Sequence, residues 1–273
     1  MHVIRIVFFA FFLASLSSPA HGQTIKNIYE DAGAQIGLEY AKPIFEGSSR
    51  YTIATAAWYL SGQIPILESA TILVDFPMAY ADISSGGSIF GQSTGLRVGN
   101  PFIGIKFRSR FSNVYGIFGS RIPLAHSRGA LARSIGRAGG GVMRLGSFLA
   151  DIFQLNAKIG VRHHASSGLF VNVLLGPSAF FFIDSDIDPE IFLDAEAVIG
   201  YKIEDFRGIF GLDGRLRTTG FDGSFADKSV ADLFLQGTIR FNQVRPVVAV
   251  FLPVDENSLA DLIVSLTLVV HLN

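Results

Sequence analysis

A set of ionic side chains in this chain stands at alternate positions within otherwise apolar stretches. They are Lys106 and Arg108, Lys158 and Arg162, Asp194 and Glu196, Asp213, Arg215 and Arg217, and Arg240. In Phe153–His164, for example, Phe153, Leu155, Ala157, Ile159 and Val161 alternate with Gln154, Asn156, Lys158, Gly160 and Arg162. A period of two puts each class on its own face of a β-strand, whereas a helix, at ~3.6 residues per turn, would mix them. Ions of both signs on one face have two uses. They line a wet passage, where their charge sets which solutes are preferred, or they neutralise one another in a packed interior. Which of the two applies depends on what the opposite, apolar face touches.

Composition narrows that question. The 273 residues are 49% hydrophobic and only 16% charged, against about 25% charged in an average soluble protein. Phe (25) and Gly (29) are abundant, and the mean hydropathy is +0.41. Past the N-terminus, however, no apolar run reaches the ~18 residues of a spanning helix. High hydropathy without such a helix leaves a buried all-β protein or a membrane β-barrel. The net charge of −1 gives no nucleic-acid footprint. The lack of cysteine excludes disulfides, thiolate metal sites and a Cys lipid anchor.

Residues 1–22 read as a secretory signal. Arg5 supplies the positive end, Ile6–Leu16 the apolar stretch, and Ser18-Pro19-Ala20 or Ala20-His21-Gly22 a small-residue cleavage site. Residues 23–273 then form one exported domain.

About twelve segments of that domain alternate: Gly33–Ala41, Arg50–Ser61, Glu68–Ala81, Arg97–Ser109, Asn113–Pro123, Phe153–His164, Gly168–Phe182, Ile191–Glu204, Arg207–Thr218, Val230–Asn242, Arg245–Pro253 and Leu259–Leu272. A strand rises ~3.3 Å per residue, so about 11 residues tilted near 40° cross a bilayer's hydrocarbon. Strands of soluble domains run about five or six residues, and these are longer. The links alternate as well. Phe111-Ser112, Ala165–Ser167, Asp205-Phe206 and Gln243-Val244 are tight, while Asp82–Leu96, Leu124–Ile152, Ile183–Glu190 and Thr219–Ser229 are long. Outer-membrane barrels alternate in the same way, with short periplasmic turns and long outside loops. Gly62–Leu67 is the misfit, a longish link on the short-turn side.

The apolar faces are unbroken and Phe-rich, so the economical arrangement sets them in lipid and the ionic faces in a lumen. An unpaired strand edge in lipid would strand its N–H and C=O groups, so Ala260–Asn273 should pair with the first strand and close the barrel.

The connection Leu124–Ile152 carries Arg128, Arg133, Arg137 and Arg144 and the run Gly139-Gly140-Gly141. Gly129–Arg137 could form a short helix. The segment could fold inward as a constriction, bind lipopolysaccharide phosphates outside, or lie as a surface loop. Asp184-Ser185-Asp186-Ile187-Asp188 spaces oxygens as a calcium loop would, but Pro189 stands where the EF-hand pattern has glycine, so a solvated loop is expected.

Two family resemblances follow. His164-Ala165-Ser166-Ser167-Gly168 resembles the His-x-Ser-Asn-Gly stretch of outer-membrane phospholipase A. That resemblance implies His164 as base and Ser166 as nucleophile. Against it, His164 shares the parity of Lys158 and Arg162 and so faces the lumen rather than lipid. Gly99-Asn100-Pro101-Phe102-Ile103-Gly104-Ile105-Lys106-Phe107-Arg108 resembles the signature G-[DN]-x-x-x-G-x-K-[YF]-R. The signature belongs to the outer-membrane channel family linked to meta-pathway phenol degradation. It implies a transporter-like barrel that admits small molecules, aromatic ones among them.

The expectation is an all-β protein: a transmembrane antiparallel up-and-down β-barrel of about 12 strands in a bacterial outer membrane. It would be a passive channel for small solutes, aromatic or anionic, without a cofactor. Lys106, Arg108, Lys158, Arg162, Asp194, Glu196, Asp213, Arg215, Arg217 and Arg240 would line it. Its partners would be outer-membrane lipid, lipopolysaccharide and the solute. The alternatives are a barrel esterase using His164 and Ser166, and a closed structural barrel.

Overall fold

Period-two alternation becomes strand nearly everywhere it was read. The computed structural model describes residues 33–45, 52–82, 95–109, 113–126, 130–183, 188–219, 229–254 and 260–272. The expected signal segment 1–22 and the acidic run 184–187 lie outside them, as do Arg128, Asn273 and the expected tight link Phe111-Ser112.

The strands in chain order are β1 Ala34–Ile44, β2 Ala56–Leu67, β3 Ala70–Ala81, β4 in two pieces (Gly95–Val98 and Phe102–Arg108), β5 Val114–Arg121 and β6 Ile152–His164. They continue with β7 Leu169–Phe182, β8 Glu190–Ile203, β9 Phe206–Arg217, β10 Ser229–Ile239, β11 Val244–Pro253 and β12 Leu262–Leu272. Each pairs antiparallel with its neighbours in sequence. The last pairs with the first, Ala34 opposite Leu272 and Ile44 opposite Leu262. The result is a closed barrel of 12 strands. Closure removes the edge that lipid cannot tolerate. No helix among the described residues is long and apolar enough to cross a membrane.

The short links gather at one end of the barrel, together with the start of β1 and the end of β12. Gly62–Leu67 is not a link. It is the second half of β2, and Glu68-Ser69 alone makes the turn into β3. Ile64, Ile66 and Leu67 continue the exposed apolar surface, and a register shift between Pro65 and Leu67 had blurred the alternation. Glu204-Asp205 and Asn242-Gln243 form two-residue turns whose first residues have φ of 47°, the left-handed geometry of tight hairpins.

Two local breaks shape the wall. The β6–β7 ladder skips Ala157-Lys158 opposite Gly176-Pro177, because Pro177 has no N–H to donate. On the β3–β4 side, Met78 pairs with Val98 and Asp75 with Phe102. Three residues of β4, Gly99-Asn100-Pro101, therefore stand against two of β3. This is a β-bulge, and it flips the parity of the strand. Leu96 and Val98 face out before it; Phe102 and Lys106 face in after it.

The outward rows are apolar and solvent-accessible in the isolated chain. Ile199 is 47%, Phe210 51%, Ile159 60% and Leu268 48% exposed. Lipid is the solvent that such a belt requires. Charge placed at mid-depth on this face should be costly. Ile159→Lys is expected to lower refolding stability in lipid vesicles by about 2–4 kcal/mol, read from a denaturant titration, whereas Ile159→Leu should leave it within error.

Candidate functional site

The inward rows are polar, and almost all of them are buried. Gln35 and Glu39 of β1, Ser61 and Gln63 of β2, Asp75 of β3, Lys106 of β4, Arg121 of β5, Gln154 and Asn156 of β6, and Asn172 and Ser178 of β7 each expose under a tenth of their surface. So do Asp194 and Glu196 of β8, Arg207, Asp213 and Arg215 of β9, Asp232 of β10, Arg245 of β11 and Ser265 of β12. What fills the space between them is the long connection. It folds into the barrel rather than over its surface.

That inserted segment begins after β5. Helix α1, Ala130–Gly139, turns Ala132, Ile135, Gly136, Ala138 and Gly139 into the interior against the inner walls of β1–β3. A 3-10 stretch, Val142–Phe148, follows and buries Arg144, Ser147 and Phe148. The helix expected at Gly129–Arg137 is thus present, shifted toward Gly139. Of the three fates open to this connection, the inward fold is the one observed. Its attachments span the lumen. Arg144 reaches β1 and β3, while the amide of Val142 donates to Asp232 Oδ2 on β10 at 2.7 Å.

Arg144 anchors the first of two ionic networks. Its Nη1 lies 2.6 Å from Glu39 Oε2 and its Nη2 3.3 Å from Asp75 Oδ1. The guanidinium sits 3.8 Å from the centre of the Tyr59 ring. Asp75 is shared with Arg121, at 3.3 Å. Ser61 donates to Asp75 and Ser265 to Glu39. Two carboxylates and two guanidiniums therefore cancel, each with further hydrogen bonds, which is the condition for ions to survive burial. Burial opposes the Arg144 charge, but the carboxylates of Asp75 and Glu39 outweigh it and hold the guanidinium more firmly protonated than usual.

The second network centres on Asp194. Arg215 Nε donates to Asp194 Oδ1 at 2.6 Å and its Nη2 to Oδ2 at 3.0 Å, with Lys158 Nζ at 2.8 Å and the Ser178 hydroxyl also donating. Arg215 lies over the rings of Phe180 and Phe192. The pattern of cation over aromatic repeats around the wall. Lys106 and Arg162 flank the Tyr115 ring, and Arg207 covers Phe170. Such contacts hold long cationic side chains against the wall at about 0.5–2 kcal/mol each.

Each ionic residue read from the sequence lies on the inward parity. Lys158, Asp194 and Arg215 are brought together; Arg217 pairs with Glu190 at 2.5 Å nearer the loop end. Asp213 stands opposite Glu196 on β8 and Asp232 on β10. Arg108 and Arg240 are exposed at the turn end, where Arg240 Nε donates to the Asn242 carbonyl. Sequence reasoning missed Glu39, Asp75, Arg121, Arg207 and Arg245; Arg144 was read only as one of the arginines of the long connection, and Asp232 only as part of the polar face of its strand. Arg207 had a signal, since it shares the odd parity of Asp213 and Arg215. Arg121 and Arg245 had little, because β5 and β11 are apolar on both faces. The partners of Arg144 had none, being 69 and 105 residues away.

His164 and Ser166 are not joined by a hydrogen bond among the described residues. The His164 ring lies 5.6 Å from that of Phe170, and Ser166 is exposed in the turn beyond β6. Among the described residues, no cluster of His, Asp and Glu could hold a metal ion.

The sequence matches no protein-family model and no curated protein. Solved structures do resemble the chain. An outer membrane channel from Pseudomonas putida F1 superimposes with a TM-score of 0.61 at 12% identity, over 89% of this chain and 96% of that one. The NanC porin gives 0.54 at 6% identity, over 88% and 100%. LpxR from Salmonella typhimurium gives 0.50 at 12% identity, over 87% and 100%. These likenesses are of fold: this chain has the fold of outer-membrane barrels.

Removing one member of a buried network exposes the worth of the rest. Arg144→Ala strands Glu39 and part of Asp75, and should lower stability by about 3–5 kcal/mol. Arg144→Ala combined with Glu39→Gln should recover part of that loss. The midpoint of thermal unfolding in detergent, followed by the heat-modifiable gel shift, measures both.

Proposed function

We propose that the barrel is a passive outer-membrane channel for small anionic solutes, constricted by its own inserted segment. The observation that carries this reading is the distribution of inward charge. At mid-depth Glu39 and Asp75 balance Arg121 and Arg144, while Asp194 holds both Lys158 and Arg215, with the carboxylates of Asp213 and Asp232 also on the inward rows. Toward the short-turn end the inward rows carry Lys106, Arg108, Arg162, Lys202, Arg207 and Arg245, with Arg240 just beyond β10. One inward carboxylate, Glu196, lies among them, reached by Asn172 beside the Tyr115 ring, while Glu68, Glu204 and Asp205 stand in the turns. A cationic belt inside low-dielectric walls concentrates anions and repels cations.

The fold shared with outer-membrane barrels and the signal-like N-terminus support the location. Aromatic solutes are a weaker fit, because the lumen rings of Tyr115, Phe170 and Phe180 already carry cations. A narrow bore is expected from 12 strands, since about eight hold only packed side chains and 16–18 leave open pores.

The near-complete burial of the mid-depth ions favours a second reading, a barrel closed by its own plug. Conductance separates the two. Refolded protein in a planar bilayer under a potassium chloride gradient should give discrete steps and a reversal potential of anion-selective sign. Arg207→Gln with Arg245→Gln should move that potential toward zero. Absence of any conductance above background would leave the closed barrel.

A further inference from the structure

The sequence motif Gly99–Arg108 finds no place in the ionic networks as a ligand, yet its Asn100 is among the most completely buried residues, at 0% exposure. We infer that Asn100 is the clasp that closes the neck of the inserted segment, and that the width of the lumen depends on this one side chain.

The geometry is specific. The β-bulge Gly99-Asn100-Pro101 turns Asn100 into the lumen. There its Oδ1 accepts from the amides of Leu124 at 2.9 Å and Ala125 at 2.8 Å, where the segment leaves the wall. Its Nδ2 donates to the carbonyls of Gly146 at 3.0 Å and Leu149 at 2.7 Å, where the segment returns. The Asn100 amide donates to Ser147 O at 2.6 Å, and its carbonyl accepts from Arg121 Nη1 at 3.0 Å. One side chain thus holds both strands of the neck. Only an amide does this, because the site asks for one acceptor and one donor at the two ends of the same planar group.

The neighbours of Asn100 fit the same purpose. Gly99 lies so close to the returning chain that a Cβ would stand 2.3 Å from Ser147 O and 2.9 Å from the Phe148 ring. Pro101 has no N–H to satisfy where the ladder is broken. The amide of Asp151 donates to Ala125 O at 3.1 Å, a second tie across the neck. Beyond the neck, the described residues of the segment are held by contacts inside the barrel, those of Arg144 and Val142 among them.

The conductance half of the inference rests on the channel reading above; the clasp itself rests on this geometry. Asn100→Asp is the discriminating variant. It keeps the shape and the acceptor for Leu124 and Ala125, but sets an oxygen against the carbonyls of Gly146 and Leu149. The full-length variant, refolded in detergent, is compared with the parent by hydrogen–deuterium exchange and by planar-bilayer conductance. Exchange in peptides covering 142–149 should rise by about tenfold or more, while strand peptides such as 153–164 stay unchanged. Gly99→Ala should have the same effect through its clash with Ser147. Conductance should rise in both variants. Faster exchange with a conductance equal to the parent's would uphold the clasp and overturn its control of lumen width, whereas faster exchange with no conductance in parent or variants would overturn the channel reading. Unchanged exchange in both variants would overturn the clasp. So would loss of the heat-modifiable barrel in both, since Asn100 would then support the wall rather than the segment.

Discussion

Lipid provides no hydrogen-bond partner, and everything else in this molecule follows from that. Each backbone N–H and C=O at membrane depth must find its partner in a neighbouring strand, so the sheet closes on itself and β12 pairs with β1. Lipid outside also makes the alternation read in the opposite sense to a soluble barrel. The apolar rows of Ile, Leu, Val and Phe face out, and the ions are driven inward whether or not they have work to do there.

Once inside, those ions face a second constraint. A buried charge is tolerated only when paired and hydrogen-bonded. The chain meets this with compact networks. Asp194 gathers Arg215, Lys158 and Ser178, and Asp75 bridges Arg121 and Arg144 with help from Ser61. Arg144 comes from the inserted segment, not from the wall. The wall alone would leave Glu39 and Asp75 with a deficit of positive charge, and the segment alone would carry an unsatisfied guanidinium. Each completes the other. Inserted segment and barrel are therefore a single electrostatic unit at mid-depth, while Lys106, Arg162, Arg207 and Arg245 lie outside it, toward the turns.

The distinction explains which residues were legible. Lys158, Arg162, Asp194, Asp213 and Arg215 sit on strands with one apolar and one polar row, so parity alone assigned them to the lumen. Arg245 sits in Val244–Pro253, where inward Val247, Ala249 and Phe251 are as apolar as their outward neighbours. Parity says nothing there. The stretch Gly62–Leu67 misled for a related reason: a proline and a register shift near a strand end resemble a loop, though the backbone remains paired to Ala70. The motif around Asn100 was visible as a pattern, but its use was not, since its partners lie 24 to 49 residues further along the chain.

Sequence by itself determined the barrel: the strands, their approximate number, the inward and outward faces and the alternation of short and long links. Those features are local, set by period-two side-chain placement and by the length needed to cross lipid. Only the tertiary structure decided that Leu124–Ile152 enters the lumen, that Arg144 neutralises Glu39 and Asp75, and that Asn100 closes the neck. Each of those depends on groups far apart in the chain that meet only when the sheet has curled shut. A periodic pattern carries no record of what it will enclose.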